Sequence, residues 1–185
     1  MSETAVKWHA TVDDLYSVDG KAELVNGRLR IMEPAGDMHG RGSTAILVSL
    51  YAYARATRAG VAYGDNVGFL TDLPHRHSFS PDAAYYTGPP AGRKFLPAPP
   101  VFAVEVRSDG DYGPAAEREM ADKRRDYFAA GTLVVWDVDL FGAQAVRVFR
   151  DGDADTPSAI FRRDEEADAE PAVPGWRFAV DDLFE

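Results

Sequence analysis

The chain has 185 residues, 45% of them hydrophobic and 27% charged, with a formal net charge of −10 and no cysteine. It is long enough to bury one hydrophobic core and too short for two ordinary ones, so one domain over residues 1–185 is expected, and no apolar run approaches the roughly 18 residues of a membrane span. The acidic balance argues against an all-over polyanion binder, and the lack of cysteine removes disulfides and thiolate metal sites together.

The opening stretch MSETAVKWHATVDDLY carries no basic-then-apolar leader, from which a cytoplasmic protein is expected. Much of the acid excess is local: RRDEEADAEPAV and DGDADTP near the C-terminus hold many of the acids and are expected to be solvated loops. A basic patch elsewhere stays open.

In chain order, TVDDLYSV begins with Thr11 three residues before Asp14, the spacing of a helix cap, and predicts a short N-terminal helix. AELVNGRLRIM places two apolar-bearing runs around Asn26-Gly27, a pair that readily takes positive φ, and predicts a β-hairpin. From Ser43 to Arg58 the chain predicts a helix apolar around much of its circumference, to be covered on more than one side or to lie at a dimer interface. VGFLTD and FSPDAAYY predict strands, with Pro81 at the entrance of the second. After a loop rich in Pro and Gly, VFAVEVRS predicts a buried strand. Pro114 then opens a helix that runs to Gly131 as its C-cap, and the strands TLVVWDVD and AVRVFR follow. Strand, helix, strand in that order implies a right-handed crossover, hence a mixed α/β sheet flanked by helices.

VFAVEVRS poses the chemical question, because an unpaired carboxylate in a buried strand costs several kcal/mol. Alternation puts Glu105 and Arg107 on one face with Val101 and Ala103, looking toward whatever covers the sheet. The following helix brings Ala116, Met120, Lys123 and Tyr127 into one arc, so Lys123 lies beside an apolar seam that Arg124 also borders. Two plain alternatives stand beside this reading: Lys123 exposed and paired with Glu119 one turn earlier, and Glu105 paired with Arg107 or another cation of the helix. Asp82, in SPDAAYY, is either a strand-start aspartate or a second carboxylate converging on Glu105. Two such acids would repel each other, and a divalent cation that prefers oxygen ligands would resolve both charges.

The order of SPD at 80–82, VEVRS at 104–108 and a helix carrying Lys123 resembles the PD-(D/E)xK nuclease superfamily. More narrowly, AELVNGRLRIMEP followed by HG, the helix after it, DKRRDYFAAGTLVVWDVD and PGWRFAVDDLFE are similar to the landmarks of the bacterial Uma-two type of restriction endonuclease-like proteins, over nearly the whole chain. The resemblance implies a restriction-endonuclease-like core with an N-terminal helix and hairpin. It also implies Mg²⁺ or Mn²⁺ at Asp82 and Glu105, DNA as the partner, a homodimer, and phosphodiester hydrolysis. It implies that Lys123 replaces the lysine usually found two residues after the glutamate, where this chain has Arg107, which leaves open whether Lys123, Arg107 or neither fills that role. Glu23 matches the acid at the start of the family's hairpin, and His39 its histidine before the long helix. Glu23 could equally be an exposed strand acid, and His39 an idle loop histidine.

Asp137 reads as structural, and His75 and His77 flanking Arg76 read as a surface loop with no third metal ligand. Arg41, Arg93, Lys94, Arg118, Arg124 and Arg125 are the cations available for a nucleic-acid backbone. Two other functions compete: a non-catalytic interaction module that keeps the fold, and a hydrolase of another ester or glycoside using paired acids. The module predicts Asp82 and Glu105 pointing apart or paired with arginines.

Overall fold

The computed structural model describes residues 9–185. Residues 1–8, half of the stretch read above as free of a leader, lie outside the described residues. The first element is α1 (Val12–Tyr16), closed by the expected capping box in which Thr11 and Asp14 exchange hydrogen bonds. The hairpin β1 (Ala22–Val25) and β2 (Arg28–Ile31) turns at Asn26 and Gly27, whose φ values of 52° and 68° suit the tight turn that joins twisted strands.

Helix α2 (Asp37–Thr57) starts six residues before the expected Ser43. Gly40 and Gly42 in DMHGRG disfavour a helix by propensity, but packing overrides them: a Cβ on Gly42 would sit 3.1 Å from Leu140, so glycine lets α2 approach closely. Strand β3 (Val61–Gly64) had no expectation. VGFLTD supplies only β4 (Phe69–Leu70), and FSPDAAYY divides at Ser80-Pro81 into β5 (Ser78–Phe79), paired with β4, and β6 (Ala83–Tyr86), paired with β3.

Next come β7 (Phe102–Val106), α3 (Pro114–Ala130), β8 (Val134–Val138) and β9 (Val146–Arg150). Pro114 opens α3 and Gly131, at φ 109°, ends it, both as expected. The crossover makes β7 and β8 parallel, while the other pairs of the central sheet are antiparallel. With β10 (Ala159–Phe161) the six-stranded order is β10-β9-β8-β7-β6-β3, the mixed sheet that the crossover predicts.

The acidic C-terminal stretch is not simply a solvated loop. β11 (Glu166–Asp168) pairs with β12 (Arg177–Ala179), and a 3₁₀ turn closes the chain at Val180–Phe184. Ala167, Ala169, Ala172 and Val173 are buried because Trp176 and Phe178 carry this segment onto the sheet, Trp176 stacking on Trp136 at 5.1 Å. One face of the sheet thus buries Phe102, Val104 and Trp136 under α2 and the C-terminal segment. The other buries Ala103 and Val135 under Phe79 and Tyr127. Alternation along β7 assigns Glu105 to this second face, beneath α3.

Candidate active site

Strand register lines up a transverse row of ionisable residues. β7 and β8 pair Glu105 with Asp137, and β8 and β9 pair Asp137 with Arg147. Continuing the Ala83↔Val104 and Gly64↔Ala83 registers by one residue puts Asp82 beside Glu105 and Asp65 beside Asp82. Neighbouring strands lie about 4.8 Å apart, so four carboxylates in a row require cations between them. Apart from Arg147 at its end, the chain supplies these from outside the row.

Lys21, at the start of the hairpin, donates to Asp82 Oδ1 and Asp65 Oδ1, each at 2.6 Å. Asp82 Oδ2 accepts from the Val106 backbone N–H at 2.7 Å and lies 3.2 Å from His39 Nε2 in the first turn of α2. Lys123 Nζ lies 2.8 Å from Glu105 Oε1 and 2.9 Å from Glu23 Oε1. Tyr127, one turn after Lys123, donates to Glu105 Oε1 at 2.7 Å. The predicted arc of α3 therefore does face Glu105, and Lys123 is half-buried against it rather than paired with Glu119, which instead pairs with Arg30.

Glu23 is buried, not an exposed strand acid. Its Oε1 also accepts from Ser80 N at 3.0 Å, and its Oε2 from Arg76 NH1 at 2.7 Å. Arg76 reaches on to Asp126 Oδ2 at 2.7 Å through Nε, and Asp126 Oδ1 lies 2.7 Å from His75 Nε2. Of the HRH segment, read above as a surface loop, Arg76 is a buried strut of the site and only 3% exposed.

Charges follow from these partners. Burial works against ionisation of Asp82, but His39 and Lys21 together hold its carboxyl far below the usual range. Burial likewise opposes the charge on Glu23, yet Lys123 and Arg76 bring its pKa down to about 2. Glu105 is the opposite case: burial raises its pKa, Lys123 pulls against this, and the negative Asp82 and Glu23 push it further up. The hydrogen bond to Asp82 raises His39. Burial disfavours the Lys123 ammonium, but Glu105 and Glu23 outweigh it and raise its pKa.

Arg107 belongs to another cluster. Its Nε and NH2 grip Asp137 at 2.7 and 2.9 Å, and NH1 meets Glu117 at 2.6 Å. Asp137 also receives Arg124 at 3.2 Å and Arg147 at 3.0 Å, which makes it a buried anchor for three guanidiniums. Arg124, expected among the cations for a nucleic-acid backbone, is buried with Nε on the Ala154 carbonyl. Arg118 and Arg125 are exposed on α3, Arg125 paired with Asp122 and Asp155. Arg41, bonded to the Glu185 carbonyl, and the exposed Arg93 and Lys94 stand away from the carboxylates, which line a separate cleft of about 1200 Å³.

Among the described residues no three His, Asp or Glu side chains converge as a complete ligand set. The donors nonetheless suit a hard cation. Asp82 and Glu105 are neighbouring carboxylates on one cleft, and among the described residues nothing donates to Glu105 Oε2. Mg²⁺ is commonly held by one or two carboxylates, with water and substrate phosphate completing its shell. A cation would also offset the repulsion that raises Glu105.

The nearby groups that residue reading missed are Lys21, Asp65, Arg76 and Asp126. Their only signal was charge in segments that look solvated.

Comparison with known proteins agrees with this architecture. The family model Uma2, described as "Putative restriction endonuclease", matches residues 10–181. The crystal structure of a putative nuclease belonging to DUF820 from Anabaena variabilis is similar, with a TM-score of 0.73 and 15% sequence identity over 94% of this chain and 97% of that one. No curated protein sequence matches the chain.

Proposed function

The chain belongs to the Uma2 family, and from that premise we propose that it is a metal-dependent endonuclease that hydrolyses phosphodiester bonds of DNA. The observation that carries this reading is the convergence of Asp82, Glu105 and Lys123 on one cleft, with neither carboxylate paired to an arginine. Asp82 and Glu105 would hold a Mg²⁺ or Mn²⁺ ion, which supplies a Lewis acid and a lower pKa for bound water.

The chain's own groups have distinct tasks in this reading. Lys123, kept charged by Glu23 and Glu105, stabilises negative charge that grows on the phosphoryl oxygens. Glu23 holds that ammonium in place, and the Arg76 strut holds Glu23. His39, whose pKa is raised by Asp82, is the proton donor to the departing oxygen. Its Nδ1 is buried without a partner, an orphaned polar atom beside the carboxylates. Arg107, committed to Asp137 and Glu117, is assigned no catalytic task.

The same reading takes the protein as a cytoplasmic, single-domain chain, and its homodimer is supported by α2, which leaves Val48 and Tyr51 exposed. Light scattering at the mass of one chain, 20.2 kDa, would remove the dimer. The main test is incubation of supercoiled, linear, single-stranded and branched DNA with the protein, with and without Mg²⁺ or Mn²⁺. Cleavage that needs the metal and disappears in Glu105→Gln is expected. No cleavage of any substrate overturns the endonuclease reading in favour of the non-catalytic module.

A further inference from the structure

Two large aromatic side chains stand in solvent at the rim of the carboxylate cleft: Tyr112 is 42% exposed and Phe141 60%. They follow the C-terminal ends of the parallel strands β7 and β8, the end of such a strand pair where open α/β sheets bind ligands. Their rings meet edge to face at 6.5 Å.

This exposure is built into the loops. Asp139 Oδ1 accepts from the backbone N–H groups of Phe141 and Gly142, both at 3.0 Å, and from the Tyr112 hydroxyl at 2.8 Å. A single carboxylate thus shapes the turn that points Phe141 outward and ties Tyr112 beside it. Gly142 suits this turn, since a Cβ there would come within 2.4 Å of Asp139. The Arg107 guanidinium lies 5.6 Å from the Tyr112 ring centre, so Tyr112 has a packing partner beneath it, whereas Phe141 is held at its backbone and keeps most of its ring in solvent. Leaving such a ring in water costs hydrophobic free energy, and here the surrounding hydrogen bonds preserve that exposure.

The rim also carries exposed Asp19, Glu33, Asp37 and Asp109, while its Arg30 is held by Glu119 and its Asp65 by Lys21. Duplex DNA brings one phosphate charge per 1.7 Å or so of axis, twice the density of a single strand, and an acidic rim selects against it. Every base offers a π-face for stacking once it is unpaired.

We propose that Phe141, with Tyr112 beside it, is a stacking platform for an unpaired nucleobase, so that the cleft takes single-stranded DNA or the unpaired part of a branched or frayed substrate. This rests on the nuclease reading for the chemistry of the ligand, and the platform places a base next to the strand whose phosphate enters the carboxylate cleft.

The test uses fluorescence anisotropy in EDTA, where binding is read without hydrolysis. The probes are a labelled oligothymidylate, a strand of equal length and charge with abasic sites, and the corresponding duplex. The full chain is expected to bind oligothymidylate about tenfold more tightly than the abasic strand, the order expected for one stacked base, and more tightly than the duplex. Phe141→Ala should remove this preference and leave abasic affinity unchanged, while Phe141→Trp should keep it. Equal affinity for the two single strands, a preference for duplex, an equal loss on both strands in Phe141→Ala, or no binding to oligothymidylate overturns the platform. A protein that cleaves DNA with metal yet ignores Phe141→Ala loses this inference alone. One that binds with base dependence yet cleaves nothing loses the endonuclease reading alone.

Discussion

Lys123 on α3 and Glu105 on β7 meet at 2.8 Å, and the same ammonium holds Glu23 of the hairpin at 2.9 Å. One cation thereby couples the crossover helix, the central sheet and the N-terminal ribbon. Removing one partner from a buried ion pair leaves uncompensated charge, at a cost of roughly 3–5 kcal/mol. Because the Lys123 side chain keeps 18% exposure, Lys123→Met should cost about 3 kcal/mol in urea unfolding, and adding Glu105→Gln should recover part of it. A cost below about 0.5 kcal/mol, the level of an exposed pair, would remove the bridging role.

Metal binding should be measurable without any substrate. A ligand that binds only the native state at one hundred times its Kd adds about 2.7 kcal/mol, so millimolar Mn²⁺ should raise the melting temperature of the wild type. The rise should vanish in Glu105→Gln and in Asp82→Asn. An equal rise in all three proteins would place the ion elsewhere.

Arg107 should behave as a structural residue. Lysine cannot reproduce its paired grip on Asp137 together with the bond to Glu117, so Arg107→Lys should lower stability by about 2 kcal/mol or more. The Mn²⁺-induced rise in melting temperature should survive in this variant. Its loss, with stability unchanged, would return Arg107 to the candidate lysine role beside the carboxylates.

The pH dependence of Asp82→Asn follows from two opposed shifts. The folded-state pKa of Asp82 is depressed, so the stability it confers is present above the ordinary value near 4 and is lost as pH falls through the depressed one. The folded-state pKa of His39 is raised, so its contribution is complete below about 6.5 and is lost as pH rises through the raised value. The stability gap between wild type and Asp82→Asn should therefore be widest between about pH 4 and 6.5, narrowing as pH falls below that window and again as pH rises above it. A gap that is flat from pH 3 to 9, on the order of the full titration range, would mean that neither pairing forms in solution.

The parts of this site that could be read from sequence are those set by periodicity. Alternation placed Glu105 on one face, and the 3.6-residue period brought Lys123 and Tyr127 to meet it. Arg76 was missed because HRH offers no period, and its burial depends on Glu23 and Asp126, 53 and 50 residues away. Lys21 was missed for the same reason, since its partner Asp82 is 61 residues away. Strand β11 was missed because its inward residue is Ala167, too small to stand out among acids, and it is buried by Phe178 and its neighbours. Gly40 and Gly42 hid the start of α2, where close packing overrides propensity.

The transverse row of acids has a consequence for how the sheet assembles. A slip of β7 by one residue against its neighbours would turn Glu105 toward Trp136 and the apolar layer under α2, away from Lys123, and would strand Lys123 and Tyr127 opposite a valine. Misregistered sheets of this chain therefore carry a buried, unanswered charge. The residues assigned here to phosphate chemistry also proofread the pairing of the strands that bear them.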